Sequence, residues 1–135
     1  MANRLVEKSR ARAREAVADQ LEAGEEVEVL LLGVTRPSVW LDALISPLLA
    51  MFQRSWYVLL TSRRVFVVPL SRSSGRPTGI EWEEPRAGVR VDRYRRGVLT
   101  GKLFLRRVAD NRVLKLRVML RNRDEALKIK SALDG

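Results

Sequence analysis

Cysteine and histidine are both absent from this 135-residue chain, and with them goes a large part of protein chemistry. The chain has no disulfide framework, no thiol nucleophile, no usual zinc ligand set and no side chain that normally exchanges protons near neutral pH. Ser-His and Cys-His catalysis are thereby excluded. A membrane-spanning run is also lacking. The longest apolar stretch, residues 39–52, would form a helix of about 21 Å against a hydrocarbon core of about 30 Å. Residues 3–22 mix Arg and Glu and hold no apolar core segment, so they do not read as a secretory signal. The expected location is cytoplasmic, extending to a peripheral position at the inner membrane face.

Phosphate-loop and acid–base signatures are missing too. Gly75 and Gly79 lack P-loop spacing and no Lys-Ser or Lys-Thr follows them, which leaves a polar loop. Glu81, Glu83 and Glu84 beside Trp82 could suggest paired carboxylates, yet no catalytic partner accompanies them. They read as strand-end residues paired to arginines. The expectation is a protein that is not an enzyme and that uses no cofactor and no metal.

Positive charge is abundant. The chain has 26 basic and 16 acidic residues, unevenly spread. Residues 1–28 hold five basic and seven acidic side chains, whereas residues 29–135 hold twenty-one and nine. Residues 86–121 alone contain twelve Lys or Arg against Asp92 and Asp110. A field of this sign favours anionic partners such as phospholipid surfaces, nucleic acid or acidic proteins.

The patterning predicts one mainly β domain. Residues 3–22 suit a helix with a thin apolar stripe of Val6, Ala13, Val17 and Leu21, peripheral at best. Val27 to Val34 reads as a strand. Trp56–Leu60 and Val65–Val68 are apolar on both alternating faces, so they must be covered on both sides or closed into a barrel. The polar Thr61–Arg64 between them allows a tight hairpin. Strands over 80–83, 86–95, 98–108 and 112–119 follow, with turns at Arg96–Gly97 and Ala109–Asn111. In the last strand Leu114, Leu116 and Val118 alternate with Lys115 and Arg117, the pattern of a sheet covered on one side only. A final helix over 122–134 places Ala126, Ile129 and Leu133 on one face, with Asn122 as its cap.

One strand, an insertion, six strands and a C-terminal helix is the plan of a pleckstrin homology (PH) domain. The chain resembles the bacterial PH-like proteins, relatives of the GRAM and YokE-like PH families. Their first strand often follows Leu-x-x-Gly-Glu, matched by Leu21, Gly24 and Glu25. Their second strand tends to end in Leu-Thr, a polar residue and one or two Arg, matched by Leu60, Thr61, Ser62, Arg63 and Arg64. The resemblance implies an α+β, mainly β fold: a seven-stranded bent antiparallel barrel capped by the C-terminal helix. The expected layout is an N-terminal helix over 1–23 and a PH-like domain over 24–135, with a helical insertion over 38–53 between the first two strands. Such domains bind anionic lipids in some cases and proteins in many. The Lys/Arg-x-Arg motif of the best-known lipid binders is absent, and Arg36 and Arg54 stand in that region instead.

Two candidate sites follow. The first is a basic hairpin of Arg90, Arg93, Arg95, Arg96, Lys102, Arg106 and Arg107, expected to meet an anionic lipid surface or an acidic protein. Nucleic acid is the less favoured partner, because only Tyr94 and Phe104 interleave with this charge. The second is the apolar insertion, with Val39, Trp40, Leu41, Leu44, Ile45, Leu48, Leu49, Met51 and Phe52, expected to serve self-association or docking, with ordinary core packing on the barrel's open end or the N-terminal helix as the alternative. The expected function is a non-catalytic binding or scaffold module. A purely structural homo-oligomer is the alternative.

Overall fold

The computed structural model describes residues 2–35, 54–71, 76–97 and 100–133. Helix α1 (Ala2–Ala18) leads to strands β1 (Val27–Thr35), β2 (Arg54–Thr61), β3 (Arg64–Pro69) and β4 (Trp82–Pro85). A 3-10 turn, Arg86–Gly88, precedes β5 (Val89–Arg96), β6 (Thr100–Arg107) and β7 (Arg112–Met119). A second 3-10 turn, Leu120–Asn122, runs into α2 (Arg123–Leu133). The expected insertion over 38–53, with its nine apolar candidate residues, lies outside the described residues.

The seven strands form one antiparallel sheet in the order β4-β3-β2-β1-β7-β6-β5. The terminal strands β4 and β5 are not paired, so this sheet is open where a barrel was expected. The chain turns that corner through Pro85, which has no N–H to offer, and through the 3-10 turn that follows. The sheet nevertheless folds over on itself. Val29, Leu31, Trp56, Val58, Leu60, Val65, Val67 and Trp82 from one half share a single core with Val89, Val91, Leu103, Leu105, Leu116 and Val118 from the other. Ala126, Ile129 and Leu133 of α2 complete it. Gly33 lets the halves approach at their junction: a Cβ there would lie 3.0 Å from the Leu116 Cβ.

The two-sided apolarity of the β2–β3 hairpin is explained by a second cluster on the outer face of β1–β3. Leu30, Tyr57, Leu59, Phe66, Val68 and Leu70 are buried there with Ala13 and Val17 of α1. The expected apolar stripe of α1 is present at these two positions, but the helix is not peripheral. It covers the back of half the sheet, and the Arg10 guanidinium donates to the Leu30 carbonyl at 2.9 Å.

Helix α1 stops at Ala18, four residues before its expected end, because the following segment has another task. Glu25 turns its side chain, 0 % exposed, into the β2–β3 turn. There its carboxylate accepts from Thr61 Oγ1 at 2.5 Å and from Arg64 Nη2 and Nε at 2.6 and 3.2 Å. It also accepts from the Glu22 N–H at 2.9 Å, with Gly24 at φ 82° making the turn between them. Thr61 Oγ1 in turn accepts the N–H groups of Arg63 and Arg64, and Arg64 Nη2 donates to the Gln20 carbonyl. The Arg64 hydrogen bond holds the Glu25 carboxyl down to about 2, against the opposing effect of burial. The two sequence stretches that carry the PH-like resemblance therefore meet in one network.

Smaller differences from expectation have local causes. The fourth strand begins at Trp82 rather than Ile80, and the fifth at Val89 after the 3-10 turn. Arg96 still lies in β5 and pairs with Gly101, so the strand runs past the two-residue turn expected at Arg96–Gly97. Entry into α2 uses the backbone, with the Arg123 N–H bonding the Leu120 carbonyl, in place of an Asn122 side-chain cap.

Candidate functional site

Among the described residues no helix lies over the outer face of β5, β6 and β7, and there the alternation of the strands brings positive charge together. In β6, Leu103 and Leu105 point to the core, so Lys102, Phe104 and Arg106 point out. In β7, buried Leu116 and Val118 leave Val113, Lys115, Arg117 and Met119 outward. In β5, Val89 and Val91 face the core, and simple alternation would turn Arg93 inward and Tyr94 outward. A bulge between Val91 and Arg93 re-phases the strand. Tyr94 then packs against the core, with its ring over Gly101, and Arg93 and Arg95 face solvent.

Three rows cross the face. Arg95, Lys102 and Arg117 stand directly opposite one another. Next come Arg93, Phe104 and Lys115, where the Arg93 guanidinium lies 4.6 Å and the Lys115 Nζ 5.5 Å from the ring centroid. This double cation–π contact covers a phenylalanine on an open face, leaving it only 8 % exposed. The last row is Arg90, Arg106 and Val113. Arg106 forks onto the bulged Asp92, with Nη2 at 2.6 Å and Nε at 2.9 Å from Oδ2, and holds the Asp92 carboxyl below its usual range.

Of the seven hairpin candidates, the structure brings Arg90, Arg93, Arg95, Lys102 and Arg106 onto this face. Arg107 and Arg96 belong to the opposite phase. Arg107 lies over the Trp82 ring at 5.1 Å and is held by Asp110 at 2.6 Å and Glu84 at 3.9 Å. It stitches β6 to β4. Arg96, opposite Gly101, is exposed at the strand end. Lys115 and Arg117 are two members that the hairpin reading left out. Their signal was available, since both alternate with core residues on the strand paired to β6. Glu83 and Glu84 are placed as expected, beside Arg64 at 3.4 Å and Arg107 at 3.9 Å.

Among the described residues no carboxylate group is placed to hold a metal ion and no helix is long and apolar enough to cross a membrane. Comparison of the chain with family models, with curated proteins and with solved structures finds no match in any of the three.

Proposed function

We propose that the chain is a non-catalytic binding module of the PH-like class that docks on an anionic membrane surface through the outer face of β5–β7. The PH-like assignment is supported by the strand order, by the C-terminal helix against the core and by the meeting of the two motif stretches at Glu25. The docking function rests on one observation: Arg90, Arg93, Arg95, Lys102, Lys115 and Arg117 share a face left open among the described residues, on which Asp92 is already taken by Arg106.

Six cations at about 1 kcal/mol each on an anionic leaflet give a dissociation constant of tens of micromolar, weakened by salt. That strength suits reversible peripheral binding. Nucleic acid fits less well because Phe104, the one aromatic ring on the face among the described residues, is already covered by Arg93 and Lys115. An isologous contact through this face would set like charges against each other.

Co-sedimentation with neutral and anionic vesicles tests the reading. Binding is expected to anionic vesicles only, falling steeply between about 0.05 and 0.3 M salt. Retention that ignores lipid charge and salt overturns it.

A further inference from the structure

The three rows of the basic face are not equivalent. Phe104 separates Arg93 from Lys115 and holds each by a ring face, and Asp92 neutralises Arg106 beside Arg90. The row Arg95, Lys102 and Arg117 has neither device. Strands lie about 4.8 Å apart, so three positive charges stand in a line about 10 Å long. Like charges directly opposite each other destabilise a sheet. Among the described residues no carboxylate pairs with any of the three, and none has a further interaction. All three side chains reach solvent.

We infer that this row is a discrete site for a phosphomonoester headgroup on the lipid surface. The inference rests on the membrane reading above and sharpens it from diffuse charge to one headgroup chemistry. A phosphomonoester bears about −1.5 to −2 charges near neutral pH and three strong acceptor oxygens. The donors match that shape. Lys102, in the centre, is a compact point charge with three protons, and the flanking Arg95 and Arg117 each present a planar fork. A phosphodiester, with a single charge and two free oxygens, satisfies such a row only in part. Bringing a dianion among the three charges also removes their mutual repulsion, so the part of the face that is least favourable in the free protein gains most on binding.

The test compares vesicles containing phosphatidate with vesicles containing phosphatidylglycerol at matched surface charge, using the wild-type chain, Lys102→Gln and Arg90→Gln. Wild type is expected to prefer phosphatidate about fivefold or more, Lys102→Gln to lose the preference, and Arg90→Gln to bind both vesicles more weakly while keeping it. Inorganic phosphate should raise the melting temperature of wild type beyond an equal ionic strength of chloride, and should not do so for Lys102→Gln. That variant should itself melt no lower than wild type in chloride, because it removes repulsion; a lower melting temperature refutes the strain argument. Equal wild-type binding to both lipids overturns the headgroup site and leaves the membrane reading standing. Binding to neither vesicle overturns both. Tighter retention by single-stranded RNA than by phosphatidate, abolished in Lys102→Gln, assigns the row to nucleic acid and overturns the proposal.

Discussion

Replacing Glu25 by Gln keeps the shape of the side chain and removes its charge, which makes the variant a stand-in for the protonated wild type. The folded protein holds this carboxyl at about 2 against an ordinary value of 4.5. At about 1.4 kcal/mol per pH unit, the charged form is favoured in the fold by about 3 kcal/mol relative to the protonated one. Because the folded value is depressed, that stability is fully present above pH 4.5 and is lost as the pH falls towards 2. Urea unfolding of both proteins across this range should show Glu25→Gln less stable by about 3 kcal/mol at pH 7, with the two curves converging between pH 4.5 and 2. Wild type alone is a poor test, since other carboxylates titrate in the same window; the difference between the two proteins isolates Glu25. A gap under about 1 kcal/mol at pH 7, or one that stays constant down to pH 2, would refute the network's assigned strength.

Substitutions at three further positions probe the framework of the face. Val17→Asp puts a charge between α1 and the outer face of β1–β3, where Val17 is fully buried; a loss of at least about 2 kcal/mol is expected in urea, together with binding of an apolar dye as Phe66 and Leu59 lose their cover. Gly33→Ala drives a Cβ to 3.0 Å from Leu116 Cβ and should cost about 1–3 kcal/mol, read as a lower melting temperature. Asn111, at φ 57° in the β6–β7 turn, should accept Gly with no loss and lose about 1 kcal/mol on change to Ala.

The strand-helix order was readable because strong local signals and tertiary structure agree: β7 alternates cleanly, and Ala126, Ile129 and Leu133 are the buried face of α2 just as their spacing requires. Two kinds of feature were hidden. One is closure: whether β4 and β5 pair depends on how the corner at Pro85 is turned, and no periodicity reports that. The other is phase. Val89 and Val91 lie on one parity and Tyr94 on the other, so a slip across Asp92 was written in the apolar residues, but the uninterrupted strand reading passed over it. That slip decides that Arg93 and Arg95 meet solvent. Arg107 shows the reverse: by composition it belongs with its neighbours, yet its parity sends it to Trp82 and Asp110.

Helix α1 and the basic face divide the back of one sheet between them. Over β1–β3 the outward positions are Leu30, Tyr57, Leu59, Phe66 and Val68, and α1 covers them. Past the β1–β7 junction at Val34 and Arg117 the outward positions become mostly Lys and Arg, with one shielded Phe and with Val113 and Met119 towards the ends of β7. Among the described residues a helix lies against the apolar half, and the other half is left to water or to something anionic. The residues that give β2 and β3 their two apolar faces thus fix where α1 must lie. The location of the open surface follows from that placement, independently of any count of arginines. Adding Leu at Lys115 and Arg117 would extend the apolar half and should invite association between copies, detectable by light scattering, while the native charges keep that half of the sheet wet.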